Sequence, residues 1–214
     1  MSETNKPKDN LDTIATRIRD YFSIKDKARE DIIRWCREII RSSANAIRAV
    51  HRHDYKSAQQ LVDSTQILLS KIISSVPEGH NDLLYTGLIH DSQKELSEAT
   101  ITLAIVTGKA IPTPESIRVT YAAYLNGMGE VVGEMRRYIL DTLRRGDLSR
   151  CEEFLETMDD IYSVLVTMDF PDAITFGLRR TTDAVRGILE KTRGDLTLLI
   201  RQKVLEEQLK NIEN

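Results

Sequence analysis

Apolar residues recur at three- and four-residue intervals along most of the chain, and several stretches of about two dozen residues contain neither Gly nor Pro. This pattern predicts long amphipathic helices rather than a many-stranded sheet. The breakers leave about seven helical segments. A polar start over residues 1–9 is expected to be flexible, and 10–214 to form one helical domain. A short amphipathic piece runs from about Asn10 to Phe22. A second opens at Ser23, where Ser23 and Asp26 have capping-box spacing, and continues to about His53. A third covers Tyr55 to Ser75, and a fourth runs from Asn81 to Thr107. Thr113 and Pro114 suit the N-cap and first position of a fifth helix reaching Arg145. A sixth spans Leu148 to Asp169, and the last runs from about Ala173 toward Asn211. No fixed-period repeat and no long linker divides the chain, so the expected fold class is all-α.

Composition narrows the function classes. The chain of 214 residues is 41% hydrophobic and 29% charged, the balance of a globular domain. No apolar run reaches the roughly 18–20 residues of a membrane span. Cys36 and Cys151 read as reduced thiols of a cytoplasmic protein, because the start of the sequence is polar and has no secretory pattern. A formal charge of −3 and a pI near 5.9 exclude a polybasic nucleic-acid binder, so any phosphate recognition needs cations gathered on one face.

One such face is present. At about 100° per residue, Arg34, Arg37, Arg41, Arg48 and Arg52 fall within roughly a sixth of a helix circumference. Ile32, Cys36, Ile39, Ser43, Ile47 and Val50 occupy the opposite side as a core face, with Trp35 toward its edge. Between Ile33 and His53 the only acid is Glu38. A solvated polar face is the ordinary reading of a charge run. The near-absence of acid partners and the planar guanidinium fork favour phosphate binding here.

Candidate chemistry lies on two later helices. Asp91, Glu95 and Glu98 are spaced by four and three, so they share one face. From Leu96 to Val106 the only ionisable side chain is Glu98, and an isolated carboxylate among apolar neighbours is costly unless protonated, paired or bound to a cation. Glu130, Glu134, Arg137 and Asp141 form a second stripe, bordered by Gly127, Gly129 and Gly133, which permit close approach of another backbone. If the two helices pack antiparallel, as a short connector permits, the acidic pairs converge. Carboxylates without histidine or thiolate make a hard-oxygen site for magnesium or manganese rather than zinc, suited to hydrolysis of a phosphodiester. Salt bridging to arginines such as Arg137 is the structural alternative. Glu-x-x-His di-iron motifs, Walker loops, Gly-x-Ser-x-Gly and Cys-x-x-Cys are all missing, and His90 points away from Asp91.

The run Lys94-Glu95-Leu96-Ser97-Glu98-Ala99-Thr100, the segment from Tyr124 to Arg136 with its Gly133-Glu134-Met135, and the turn Arg145-Gly146-Asp147 resemble the translin superfamily. The resemblance spans about Arg29 to Ile200 and is strongest to the translin-associated factor X (TRAX) branch. It implies a seven-helix fold, hollow barrel-like oligomers, usually octamers, and single-stranded RNA or DNA held inside. TRAX-type subunits are magnesium-dependent endoribonucleases; translin-type subunits bind nucleic acid but lack the acidic set. The resemblance places the catalytic, metal-binding acids at Glu95, Glu98, Glu130 and Glu134, with Glu130 where eukaryotic members carry Asp. It places the RNA-binding face at the arginine row. The expectation is an Mg²⁺- or Mn²⁺-dependent nuclease that self-associates. The alternatives are a non-catalytic single-strand-binding protein and, more remotely, an all-α nucleotide pyrophosphohydrolase.

Overall fold

The computed structural model describes residues 7–213, which form eight α-helices, one 3₁₀ helix and no strand. The expected flexible start falls mostly outside the described residues, and α1 begins at Pro7. This helix runs unbroken from Pro7 to His51, 45 residues or about 67 Å. The predicted break at Ser23 does not form. No Gly or Pro lies between Asn10 and His51, and a serine alone costs an interior helix too little to stop it. Left-handed His53 (φ 60°) ends the turn, and Asp54 caps α2 (Tyr55–Ser75) by accepting from the Ser57 amide at 3.1 Å. The resulting α1–α2 hairpin is antiparallel, with the Lys71 ammonium over the half-buried Trp35 ring.

The segment expected from Asn81 to Thr107 is split. Asn81–Tyr85 is a 3₁₀ helix, Thr86 is extended, and α3 runs Gly87–Val106. The fifth predicted helix is split as well. Thr113 and Pro114 start it as expected, but α4 (Pro114–Ile117) stops at left-handed Arg118 (φ 57°). Thr120 then caps α5 (Tyr121–Arg144). Next come α6 (Cys151–Val166), the single turn α7 (Asp172–Thr175) ended by left-handed Phe176 and Gly177, and α8 (Leu178–Glu213). No helix among the described residues is long and apolar enough to cross a membrane.

α3 and α5 lie side by side and parallel, not antiparallel. Near their N-termini Gln93 Oε1 accepts from the Thr120 amide at 3.0 Å, and in mid-helix Lys94 meets Glu130. At the far end Arg150, just beyond α5, donates to the Val106 carbonyl at the end of α3. The connector from Thr107 to Thr120 therefore travels back along α3 to the level of Gln93. Fourteen residues reach about 45 Å when extended, more than the roughly 30 Å of α3, so its length permits this.

Contacts are made where the predicted apolar faces meet. Ile32, Cys36, Ile39, Ser43, Ile47 and Val50 of α1 are all buried, as are Leu96 and Ile101 of α3 and Met135 and Ile139 of α5. They join Phe154, Met158 and Leu196 in a continuous core. Gly127 sets how closely α3 and α5 approach. A Cβ there would stand 2.5 Å from the Lys94 carbonyl oxygen and 2.8 Å from Ser97 Cβ. Gly129 plays the same part toward Thr181 of α8, whereas Gly133 faces open space.

Candidate metal-binding site

The parallel pairing brings α3 and α5 together at their acidic stripes. Glu95 and Glu98 of α3 and Glu130 of α5 each offer a carboxylate oxygen within 4.8 Å of the others. Glu98 is the innermost, 8% exposed, and no hydrogen bond or ion pair to its carboxylate is found among the described residues. Burial, then the negative charges of Glu130, Glu95 and Glu134, push its pKa up to about 8, and Lys94 offsets this only in part. Burial also raises the Glu95 carboxyl; Lys94 opposes the shift, while Glu130 and Asp91 add to it.

Glu134 lies one turn along α5, outside the trio but close enough to Glu98 to raise its pKa. It accepts from His51 Nε2 at 2.5 Å and lies 3.7 Å from Arg137 Nη1. The His51 side chain is only 5% exposed, and its Nδ1 is buried without a hydrogen-bond partner. Salt bridging through Arg137 therefore reaches Glu134, while Glu95 and Glu130 of the trio face a different cation. Lys94 Nζ donates to Glu130 Oε1 at 2.6 Å and lies 3.7 Å from Glu95 Oε1. His90 is turned onto the Phe176 ring, stacked at 4.1 Å, as its helical position requires.

The donor set fits a hard divalent cation. It offers convergent carboxylate oxygens and no thiolate, and its buried member has no ion pair among the described residues. Cys36 and Cys151 are buried free thiols elsewhere, and burial raises the pKa of both, so neither is an activated nucleophile.

All five arginines of the α1 row are exposed. Two have acids at the preceding turn that spacing alone underplayed: Arg34 pairs with Asp31 and Arg41 with Glu38, each at 2.5 Å. Arg48 donates to Asn45 at 2.7 Å. His51 joins the row to the carboxylates. It projects about 40° from the edge of the arginine sector, between that sector and the core face, with Arg48 and Arg52 within one turn. Neither His51 nor Lys94 was assigned a role from sequence. The available signal for Lys94 was that it is the only cationic side chain between His90 and Lys109. For His51 it was its place on that boundary.

Comparison with known proteins shows the family and the fold. The chain is 31% identical over 200 residues to the uncharacterized protein MJ0175 of Methanocaldococcus jannaschii, covering 91% of this chain and 86% of that one. The crystal structure of AfC3PO superposes with a TM-score of 0.78 at 30% identity, covering 91% of this chain and 99% of that chain. AfC3PO in complex with duplex RNA superposes with a TM-score of 0.76 at 30% identity, covering 91% and 98%. Apo-NeC3PO shares the fold at a TM-score of 0.77 and 20% identity, covering 86% and 96%. The Translin family matches residues 2–214, essentially end to end. The chain therefore belongs to the translin family.

Proposed function

We propose that this protein is a magnesium-dependent endoribonuclease of the TRAX type, and the observation that carries the reading is Glu98. A buried carboxylate without a partner, packed against two others, is unfavourable unless it serves a cation or keeps a proton. Glu95, Glu98 and Glu130 would hold Mg²⁺ or Mn²⁺, which when bound supplies Lewis acidity toward a phosphodiester and its attacking water. Glu134, oriented by His51, completes the acidic set from the next turn of α5. Arg34, Arg37, Arg41, Arg48 and Arg52 bind the RNA backbone through its phosphates, with little sequence preference. The reaction adds water across a P–O bond, leaving a phosphate on one fragment and a hydroxyl on the other.

The substrate is RNA, with single strands as the primary form and single-stranded DNA as a ligand. The AfC3PO complex with duplex RNA supports testing duplexes beside single strands. An exposed arginine row suits either, because phosphates are common to both. Self-association into a hollow, octameric assembly around the RNA is part of the same reading, and it places the protein in the cytoplasm. Exposed apolar residues such as Leu11, Ile18 and Phe22 on the N-terminal part of α1 support association.

The deciding experiment is cleavage of end-labelled single-stranded and duplex RNA by the purified protein, with Mg²⁺ or with EDTA. Cleavage is expected only with the ion. The Glu98→Ala variant should lose at least about a hundredfold in rate while still shifting RNA in a gel. Full cleavage by that variant removes the site assignment. Binding without cleavage by the wild type leaves a single-strand-binding protein, and nucleoside triphosphate turnover without RNA cleavage leaves a pyrophosphohydrolase.

A further inference from the structure

The carboxylate trio already contains a cation of its own. Lys94 Nζ donates to Glu130 Oε1 at 2.6 Å and stands 3.7 Å from Glu95 Oε1, so one ammonium serves two of the three acids. Burial disfavours its charged form, yet the Glu130 hydrogen bond and the charges of Glu130, Glu95 and Asp91 outweigh that and hold its pKa above the ordinary lysine value. The third acid, Glu98, has no ion pair of its own among the described residues and feels Lys94 only at a distance. Three carboxylates facing one ammonium are under-neutralised. A single positive charge on a four-carbon stem reaches two of them, whereas a divalent cation can serve all three.

We infer that Lys94 is a tethered competitor of the divalent cation: its ammonium holds Glu95 and Glu130 until the cation displaces it, which sets the cation concentration at which the site fills. The inference rests on the metal-site reading above and adds a residue to it. Both contacts of Lys94 are made to carboxylates that the cation needs, so the two occupants compete for the same side chains. Displacement is sterically open, because the Lys94 side chain is 21% exposed and its flexible stem can carry the ammonium to solvent. In the ion-free chain the same contacts screen repulsion across the α3–α5 seam.

The test uses the full chain and Mn²⁺ as the probe, with binding followed by isothermal titration calorimetry and by the loss of free-ion electron paramagnetic resonance. K94M and K94Q should bind Mn²⁺ about tenfold or more tightly than wild type, and K94R should return close to wild type because it keeps the charge. Neutral variants that bind Mn²⁺ no more tightly overturn the proposal. A measurement on the wild type covers the case in which both neutral variants misfold. Saturating Mn²⁺ should speed acetylation of Lys94, read by mass spectrometry, relative to the other lysines, and an unchanged rate overturns the proposal. If the wild type shows no Mn²⁺ binding that Glu98→Gln removes, the metal reading fails and takes this inference with it. If that binding is present but insensitive to Lys94, only the role of Lys94 falls.

Discussion

Glu98 gives the site a pH signature that can be read without any nuclease assay. Its pKa of about 8 in the folded chain lies above the 4.5 of an ordinary glutamate, so between those values the folded state holds a proton that the unfolded chain releases. The sign follows from linkage: where the native state binds more protons, stability falls as pH rises. The contribution is fully present below about 4.5 and is lost as pH climbs to about 8. In EDTA, the wild type should therefore lose on the order of a few kcal/mol between pH 5 and pH 8.5 that Glu98→Gln does not lose. Urea midpoints for both proteins at several pH values check this, and parallel slopes would remove Glu98 as the titrating group. Divalent ions should bind more tightly above pH 8, because the ion need not then expel that proton.

At the scale of elements, the faces and the breaks after His53, Ser75, Thr107 and Arg145 were legible in the sequence, but the helix directions, the splits near Tyr85 and Arg118 and the continuity through Ser23 were not. Ile32, Cys36, Ile39 and Val50 are buried as their spacing predicts, and the Glu95–Glu98 and Glu130–Glu134 stripes do face one another. Periodicity records which side of a helix is apolar and says nothing about which way its neighbour runs. The parallel pairing of α3 and α5 depends on a connector that doubles back, and the left-handed Arg118 that interrupts it has no strong sequence mark. The reverse error at Ser23 arises because a capping box has meaning only where the chain also leaves the helix. His51 and Lys94 escaped for a related reason: their partners are 83 and 36 residues away. The glycine signal was the most productive at this scale. Gly127→Ala must push α3 from α5 at the level of the trio, since the added methyl meets the backbone of Lys94 and Glu98. It is expected to destabilise the protein by about 1–3 kcal/mol and to weaken Mn²⁺ binding. Gly133→Ala, which meets nothing within 4 Å, should be neutral or slightly stabilising by about 0.5–1 kcal/mol. Chemical denaturation with ion titration separates the two, and equal behaviour would show that the seam does not depend on close approach.

At the scale of the whole molecule, the N-terminal part of α1 is one of the exposed apolar surfaces among the described residues. From Ile32 onward the apolar stripe of α1 is buried against α2 and α3, but the stripe continues toward the N-terminus through Leu11, Ile14, Ile18 and Tyr21, where it is exposed. Their spacing of three, four and three is that of a helix–helix seam. Tyr21 rests on the His80 ring at 4.3 Å, but about three turns of largely exposed heptad pattern at the end of a long helix are unfavourable in a monomer and are covered readily by a second copy. Because these side chains lie beyond the core, Ile14→Asp with Ile18→Asp should leave the fold and the intrinsic affinity for Mn²⁺ intact, while shifting the mass measured by light scattering to smaller species. RNA cleavage should fall with the assembly if the strand must be enclosed, since each arginine row alone gives only salt-sensitive phosphate contacts. A doubly substituted protein of unchanged mass would show that the overhang is not the contact. One that is smaller yet cleaves RNA at the wild-type rate would show that a single chain, with its own trio and its own arginine row, suffices for catalysis.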